Sequence, residues 1–174
     1  MNVRKAQKAD IDSIEKIYDR IHDSEEQGLS TIGWIRGVYP TRKTAEAALE
    51  RGDLFVMLDD GNVVAAAVIN QTQVYEYKDA AWKYAAEDRE VMVLHCLVVD
   101  PLKGGKGYGR AFVAYYEDYA KQHGCPALRM DTNVKNTRAR KLYHTLGYEE
   151  VGIVQCIFNG IPNVQLVCLE KYLG

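Results

Sequence analysis

The sequence predicts a mixed α/β domain in which one layer of β-sheet carries helices packed against it. Three observations predict it. Residues 91–99, VMVLHCLVV, form a nine-residue apolar run broken only by His95 and closed by Asp100-Pro101. A run so short and so rich in β-branched residues reads as a buried strand rather than a helix. Behind it stand Lys103-Gly104-Gly105-Lys106-Gly107-Tyr108-Gly109, and then Ala111, Phe112, Tyr115 and Tyr119 recur at helical spacing, so a helix begins near Gly107. Finally, two hairpin signals, Asp59-Asp60-Gly61-Asn62 and Asn159-Gly160, each join apolar segments on either side of this unit.

The remaining elements follow in order. Residues 2–5 suit a short first strand. Asp10 or Asp12 is placed to cap a helix whose Ile11, Ile14, Ile17, Tyr18 and Ile21 share one face, and the polar stretch 23–28 ends it. Residues 29–40 are irregular and carry Trp34, Tyr39 and Pro40. Thr41 opens a second helix with Ala45, Ala48 and Leu49 on its inner side, and Gly52-Asp53 breaks it. Strands 54–58 and 63–69 flank the first hairpin signal. Residues 71–90 show no clear period and hold Tyr75, Tyr77, Trp82 and Tyr84; a connection of that length is functional or hides a short helix. The helix of the central unit ends near His123-Gly124. Residues 127–132 form the next strand, 133–136 lead into a helix with Ala139, Leu142, Tyr143 and Leu146 facing inward, and 151–158 pairs with 164–169. The order is β-α-α-β-β-β-α-β-α-β-β, in a single domain over 1–174 without repeat or linker.

A chain of 174 residues buries a core without disulfide or metal staples. Its hydrophobic content of 47%, charged content of 26% and net charge of −2 fit a soluble globular protein and offer nucleic acid no basic surface. The first ten residues hold no apolar signal segment, and no run reaches the length of a membrane span, so a cytoplasmic protein without a membrane partner is expected. Cys96, Cys125, Cys156 and Cys168 sit among apolar neighbours with no metal-ligand spacing, which points to buried reduced thiols and no metal. Cys96 is the sole candidate for a reactive thiol.

The strand, glycine loop and helix N-terminus of the central unit make an anion site. Free backbone N–H groups, glycines that let a phosphate approach, and the helix dipole all favour negative charge there. No Gly-Lys-Ser/Thr ends the loop, so it is not a Walker A motif. Phe112 holds the third glycine position of a dinucleotide fingerprint. A plain strand-to-helix turn stays open on the glycines alone.

The wider pattern resembles the GNAT superfamily of N-acetyltransferases. Leu97, Val99, Pro101, Gly104, Gly107 and Gly109 match L-x-V-x-P-x-x-(Gln/Arg)-x-x-Gly-x-Gly, except that Gly104 replaces the usual Gln or Arg. Asn136, Ala139, Leu142, Tyr143, Gly147 and Tyr148 match the family's second signature, Asn-x-x-Ala-x-x-Leu-Tyr-x-x-x-Gly-(Phe/Tyr). The likeness covers 91–148 and implies a GNAT-type fold, a central, mostly antiparallel, splayed sheet of about seven strands flanked by about four helices.

It also implies a site for acetyl-CoA. The pantetheine arm would add to the sheet in a gap beside Leu97, Val98 and Val99, with the N–H of Leu97 polarising the thioester carbonyl. Lys103, Gly104, Gly105, Lys106, Gly107, Tyr108, Gly109 and Arg110 would hold the pyrophosphate, with Asn136 contacting the same cofactor. Tyr143 matches the family's donor to the sulfur of CoA; a packed tyrosine is the alternative. His95, two residues before Leu97, matches the base in relatives that acetylate small amines, and its reference pKa of ~6.5 suits that task. A core histidine is the equal alternative, and Glu90 is a weaker candidate. Asp131 and Asn133 lie where they could orient the region. By analogy a small-molecule amine enters near Trp34, Tyr39, Tyr75, Tyr77 and Trp82, residues that would otherwise pack the core or a homodimer interface. An acyl-CoA or nucleotide sensor without turnover, and acylation of a protein N-terminus or lysine, stand as the other readings.

Overall fold

The computed structural model describes residues 1–174 and contains the eleven predicted elements in the predicted order. They are β1 (Asn2–Lys5), α1 (Ile11–Glu26), α2 (Arg42–Arg51), β2 (Leu54–Asp59), β3 (Asn62–Asn70), β4 (Val91–Val99), α3 (Tyr108–Gln122), β5 (Ala127–Asn133), α4 (Thr137–Thr145), β6 (Glu149–Phe158) and β7 (Ile161–Tyr172). Local chemistry explains most boundaries. Thr41 and Thr44 exchange capping bonds at the start of α2, and Gly52, left-handed at φ 76, ends it. Asp60 and Gly61, both left-handed, turn the β2–β3 hairpin. The expected cap of α1 is not made. Asp10 instead accepts from Gln7 N and takes both guanidinium nitrogens of Arg4, at 2.7 and 3.0 Å, while Asp12 pairs with Arg42. The Arg4 guanidinium holds the Asp10 carboxyl below its ordinary range.

The strands form one seven-stranded sheet in the order β1-β2-β3-β4-β5-β7-β6, antiparallel except where β4 meets β5. That pair decides the architecture. Its register runs only from Val91↔Ala127 to Leu94↔Met130, whereas β5 stays paired with β7 as far as Asn133. Just beyond Leu94, Cys96 adopts φ 50, and the β3–β4 register slips between Ala66 and Val68. This is a bulge, and a bulged strand bends. The C-terminal halves of β4 and β5 therefore part, leaving a V-shaped gap in the sheet.

The two faces of the sheet are buried by different helices. On one, Phe112, Val113 and Tyr116 of α3 cover Met92, Leu94, Leu128 and Met130. On the other, Ile14, Ile17, Ala45 and Ala48 of α1 and α2 cover Val56, Ala66, Val68 and Val98. The long 71–90 connection holds two short 3-10 turns, Tyr75–Asp79 and Asp88–Glu90, and is strapped onto β5 and β7. Arg129 sits over the Trp82 ring at 4.3 Å and donates to Tyr84 O, while the Glu170 carboxylate accepts from Lys83 N at 2.6 Å.

Candidate active site

The gap opens into a cleft of about 720 Å³, of the size that holds extended small ligands. One half runs from Leu97, Val98 and Val99 past Gly104, Gly105 and Gly107–Arg110 to Asn136, Arg138 and Tyr143. In this half no backbone N–H from Gly105 through Arg110 donates to a protein acceptor. Gly105 and Gly107 are left-handed, at φ 82 and 79, so successive amides turn toward one side and form an anion nest at the start of α3. Two anchors fix the nest. Tyr108 donates to Asp59 Oδ2 at 2.5 Å, and buried Asp100 accepts from Arg20 and from Leu102 N. Asn136 spends its side chain as the cap of α4, accepting from Ala139 N at 3.1 Å, and still lines the cleft.

Gly104 lacks the side chain the family motif carries, and its surroundings account for that. A Cβ there would lie 3.7 Å from Nη2 of Arg138, so a guanidinium from α4 already occupies the neighbourhood. Arg138 makes no salt bridge to any carboxylate of the chain; Lys103 and Lys106 are exposed beside the cleft rather than lining it.

The other half lies toward α1 and α2. Ile21, Trp34, Tyr39, Phe158, Val164 and Leu166 line it with Cys96, Asp131, Thr132 and Asn133. Trp34, Tyr39 and Phe158 stack edge to face, with ring centroids 5.7 and 5.2 Å apart. The 29–40 segment roofs this half. Glu25 grips it through Ile32 N and Gly33 N, both at 2.7 Å, and Thr31 Oγ1 reaches across to Lys135 O at 3.1 Å. Gly33, at φ 83, lies so close to Asn133 that a Cβ would fall 2.4 Å from its Nδ2. The roof also approaches the β6–β7 hairpin, where a Cβ on Gly160 would lie 3.5 Å from Val38 Cγ1.

Titratable groups in this half are few. Asp131 follows Met130, the last residue of β5 paired with β4, at the apex of the V, and accepts from the Tyr77 hydroxyl at 2.8 Å. Burial pushes its carboxyl up to about 6, partly offset by the Tyr77 bond. Burial raises the Cys96 thiol to about 11; it stays a neutral packing thiol rather than a nucleophile. Tyr143 is 7% exposed, and desolvation drives its hydroxyl well above the ordinary tyrosine value, so it keeps its proton.

The cleft brings together Leu97, Val98, Val99, Gly104, Gly105, Gly107, Tyr108, Gly109, Arg110, Asn136, Tyr143, Trp34 and Tyr39. It does not bring His95. Because of the bulge, His95 turns toward β3, where Nε2 meets Asn70 Oδ1 at 3.0 Å, and Asn70 in turn binds Asp53 at 2.8 Å. Burial lowers its pKa to about 4. Of the two readings the sequence left open, the core histidine is the one this geometry supports. Tyr75 and Trp82 also lie elsewhere: Tyr75 is 75% exposed beneath Lys78, and Trp82 packs on Tyr77 and Arg129. Phe158 and Arg138 were missed, since nothing in their local sequence places the one beside Tyr39 or the other beside Gly104.

A splayed sheet with free main-chain edges, opening at one end on an anion nest, defines an acyltransferase that works on a coenzyme A thioester. The comparisons agree. The model of the Acetyltransferase (GNAT) family matches residues 14–148, and the chain belongs to that family. It is 27% identical to the N-acetyltransferase YhfO of Bacillus subtilis over 161 residues, 91% of this chain and 97% of that protein. A 77-residue match, 35% identical, links 44% of it to 34% of the N-acetyltransferase MJ1207 of Methanocaldococcus jannaschii. Its fold is that of a GNAT-family acetyltransferase from Streptococcus agalactiae, with TM-score 0.80 and 22% identity over 98% of this chain and 94% of that one. It is also that of yncA from Salmonella typhimurium, solved with its cofactor acetyl-CoA, with TM-score 0.69 and 20% identity over 99% and 94%.

Proposed function

We propose that the protein transfers an acetyl group from acetyl-CoA to a primary amine on a small molecule, by direct attack in a ternary complex. The observation that carries the small acceptor is the roof: Thr31 and Gly33 reach Lys135 and Asn133, so the acceptor half is a covered pocket rather than a groove open to a peptide. The donor half fits coenzyme A. Free amides from Gly105 through Arg110 suit a diphosphate, and the unpaired edge of β4 beyond Leu94 suits a pantetheine arm. Acetyl-CoA supplies the activated acyl group.

The chain's own residues supply the rest. Leu97 lines the gap, and its N–H would stabilise the charge that gathers on the oxygen of a thioester carbonyl placed there. Tyr143 donates to the departing sulfur. Arg138 replaces the side-chain donor absent at Gly104.

Thiol release measured across a panel of amines tests this reading. Release of free CoA with small primary amines is expected; CoA binding with no release on any of them would contradict it. The same assay tests His95. His95→Ala is expected to keep kcat within about threefold and to lower the melting temperature, because it cuts a part-buried hydrogen bond. A loss of about 10²-fold or more, with a lost pH limb, would restore His95 as the base.

A further inference from the structure

We propose that Asp131 binds the acceptor and takes its proton, and that the acceptor is an amine, cationic in solution, with an apolar or aromatic body and no carboxylate. This rests on the acetyl-transfer reading and names the substrate class of the same site. Asp131 is the one carboxylate lining the acceptor half, and it stands at the apex of the V, where β4 and β5 part. The groups that face it come from every neighbouring element. They are Tyr77 and Glu76 from the 71–90 connection, Tyr39 from the roof, Cys96 from β4, Tyr143 from α4, Cys156 from β6 and Cys168 from β7.

None of them is a cation. Asp131 is half-buried at the wall of the cleft. A carboxylate so placed, with one hydroxyl donor and no countercharge, is costly in a folded chain, and an entering ammonium would supply both the charge and the missing donors. Around it stand Ile21, Trp34, Tyr39, Phe158 and Leu166, a wall suited to an apolar or aromatic body and to the face of a cation. An α-amino acid would bring a second carboxylate into the acceptor half, whose lining holds no lysine, arginine or histidine to pair with it.

The chemistry balances. The ammonium gives one proton to the Asp131 carboxylate, and the freed nitrogen lone pair forms a C–N bond to the acetyl carbonyl carbon. The C–S bond breaks, and its electron pair leaves on sulfur, which receives the nitrogen's second proton through the Tyr143 hydroxyl. Amide and free thiol result, and Asp131 returns its proton to solvent. Desolvation helps the first step from both sides, raising the carboxyl and weakening the ammonium's hold on its proton.

The test compares phenethylamine with phenylalanine in the thiol-release assay, for wild type, Asp131→Asn and Tyr77→Phe, with calorimetric CoA binding and melting curves alongside. Wild type is expected to favour phenethylamine by about 10²-fold or more in kcat/KM. That value should rise with pH through about 6, as Asp131 loses its proton. Asp131→Asn should lower kcat/KM about 10²-fold and leave CoA affinity unchanged. It should also melt higher at neutral pH. The folded chain holds this proton more tightly than the unfolded one, so stability falls as pH rises from 3.8 to about 6, and the amide escapes that loss. Tyr77→Phe removes a bond that lowers the carboxyl's pKa, so its pH limb should move upward. Equal turnover by Asp131→Asn, or equal use of phenylalanine, overturns the inference while leaving acetyl transfer intact. A wild type that binds CoA but releases no thiol with any amine sinks both.

Discussion

Tyr143→Phe is expected to lower kcat about 10²-fold while changing the Kd for CoA by less than about twofold, the effect of losing one donor to developing charge. The substitution removes only an oxygen. Tyr143 lines the cleft, its ring meets Tyr148 edge to face at 6.1 Å, and phenylalanine keeps that packing. Its hydroxyl proton is held firmly, since burial and the nearby Asp131 and Cys96 all push its pKa up. A group that does not ionise at working pH always presents its proton to a sulfur gaining charge, and it can take the nitrogen's proton only as it gives up its own. The variant should therefore fold and bind normally and fail only in turnover. Wild-type rates would reduce Tyr143 to packing.

Gly107→Val is expected to raise the Kd for CoA about 10²-fold, close to 2.7 kcal/mol, with a smaller loss of stability. Gly107 sits at φ 79, where a β-branched residue is strained by about 1–2 kcal/mol. No protein atom lies within 4 Å of the Cβ it would gain, so the new side chain meets open space at this cleft-lining turn rather than the core. It would fill the space claimed here for a phosphate. Arg138→Ala, which removes one exposed charge and leaves the amides in place, should cost less, about tenfold. Calorimetric titration with CoA reads both. Unaltered affinity for Gly107→Val would mean that the nest is not where the diphosphate rests.

Much of this was legible in the sequence, for physical reasons. The α1 stripe, the Asp59-Asp60-Gly61-Asn62 turn and the β4 run each follow from local periodicity or turn chemistry, and the structure has them at those positions. The nest was legible because only glycine spacing of that kind frees consecutive amides. The bulge was not. Nothing in Leu94-His95-Cys96-Leu97 marks a left-handed cysteine, yet that one residue splays the sheet and turns His95 out of the cleft. The same limit hid the partnership of Gly104 with Arg138, which only tertiary structure brings together. It also hid the strap that takes Trp82 away from the pocket to cover Arg129. For Asp131 a signal did exist: it is the only acid in the strand ALRMDTN, and an acid in a mostly buried strand needs a reason.

A crystal structure of the protein with CoA tests the central claim most directly. The diphosphate oxygens are expected roughly 3 Å from the amides of residues 105–110, with the pantetheine arm along Leu97 to Val99 and the sulfur beside the Tyr143 hydroxyl. CoA bound with its diphosphate elsewhere, and the glycine turn left open, would contradict it.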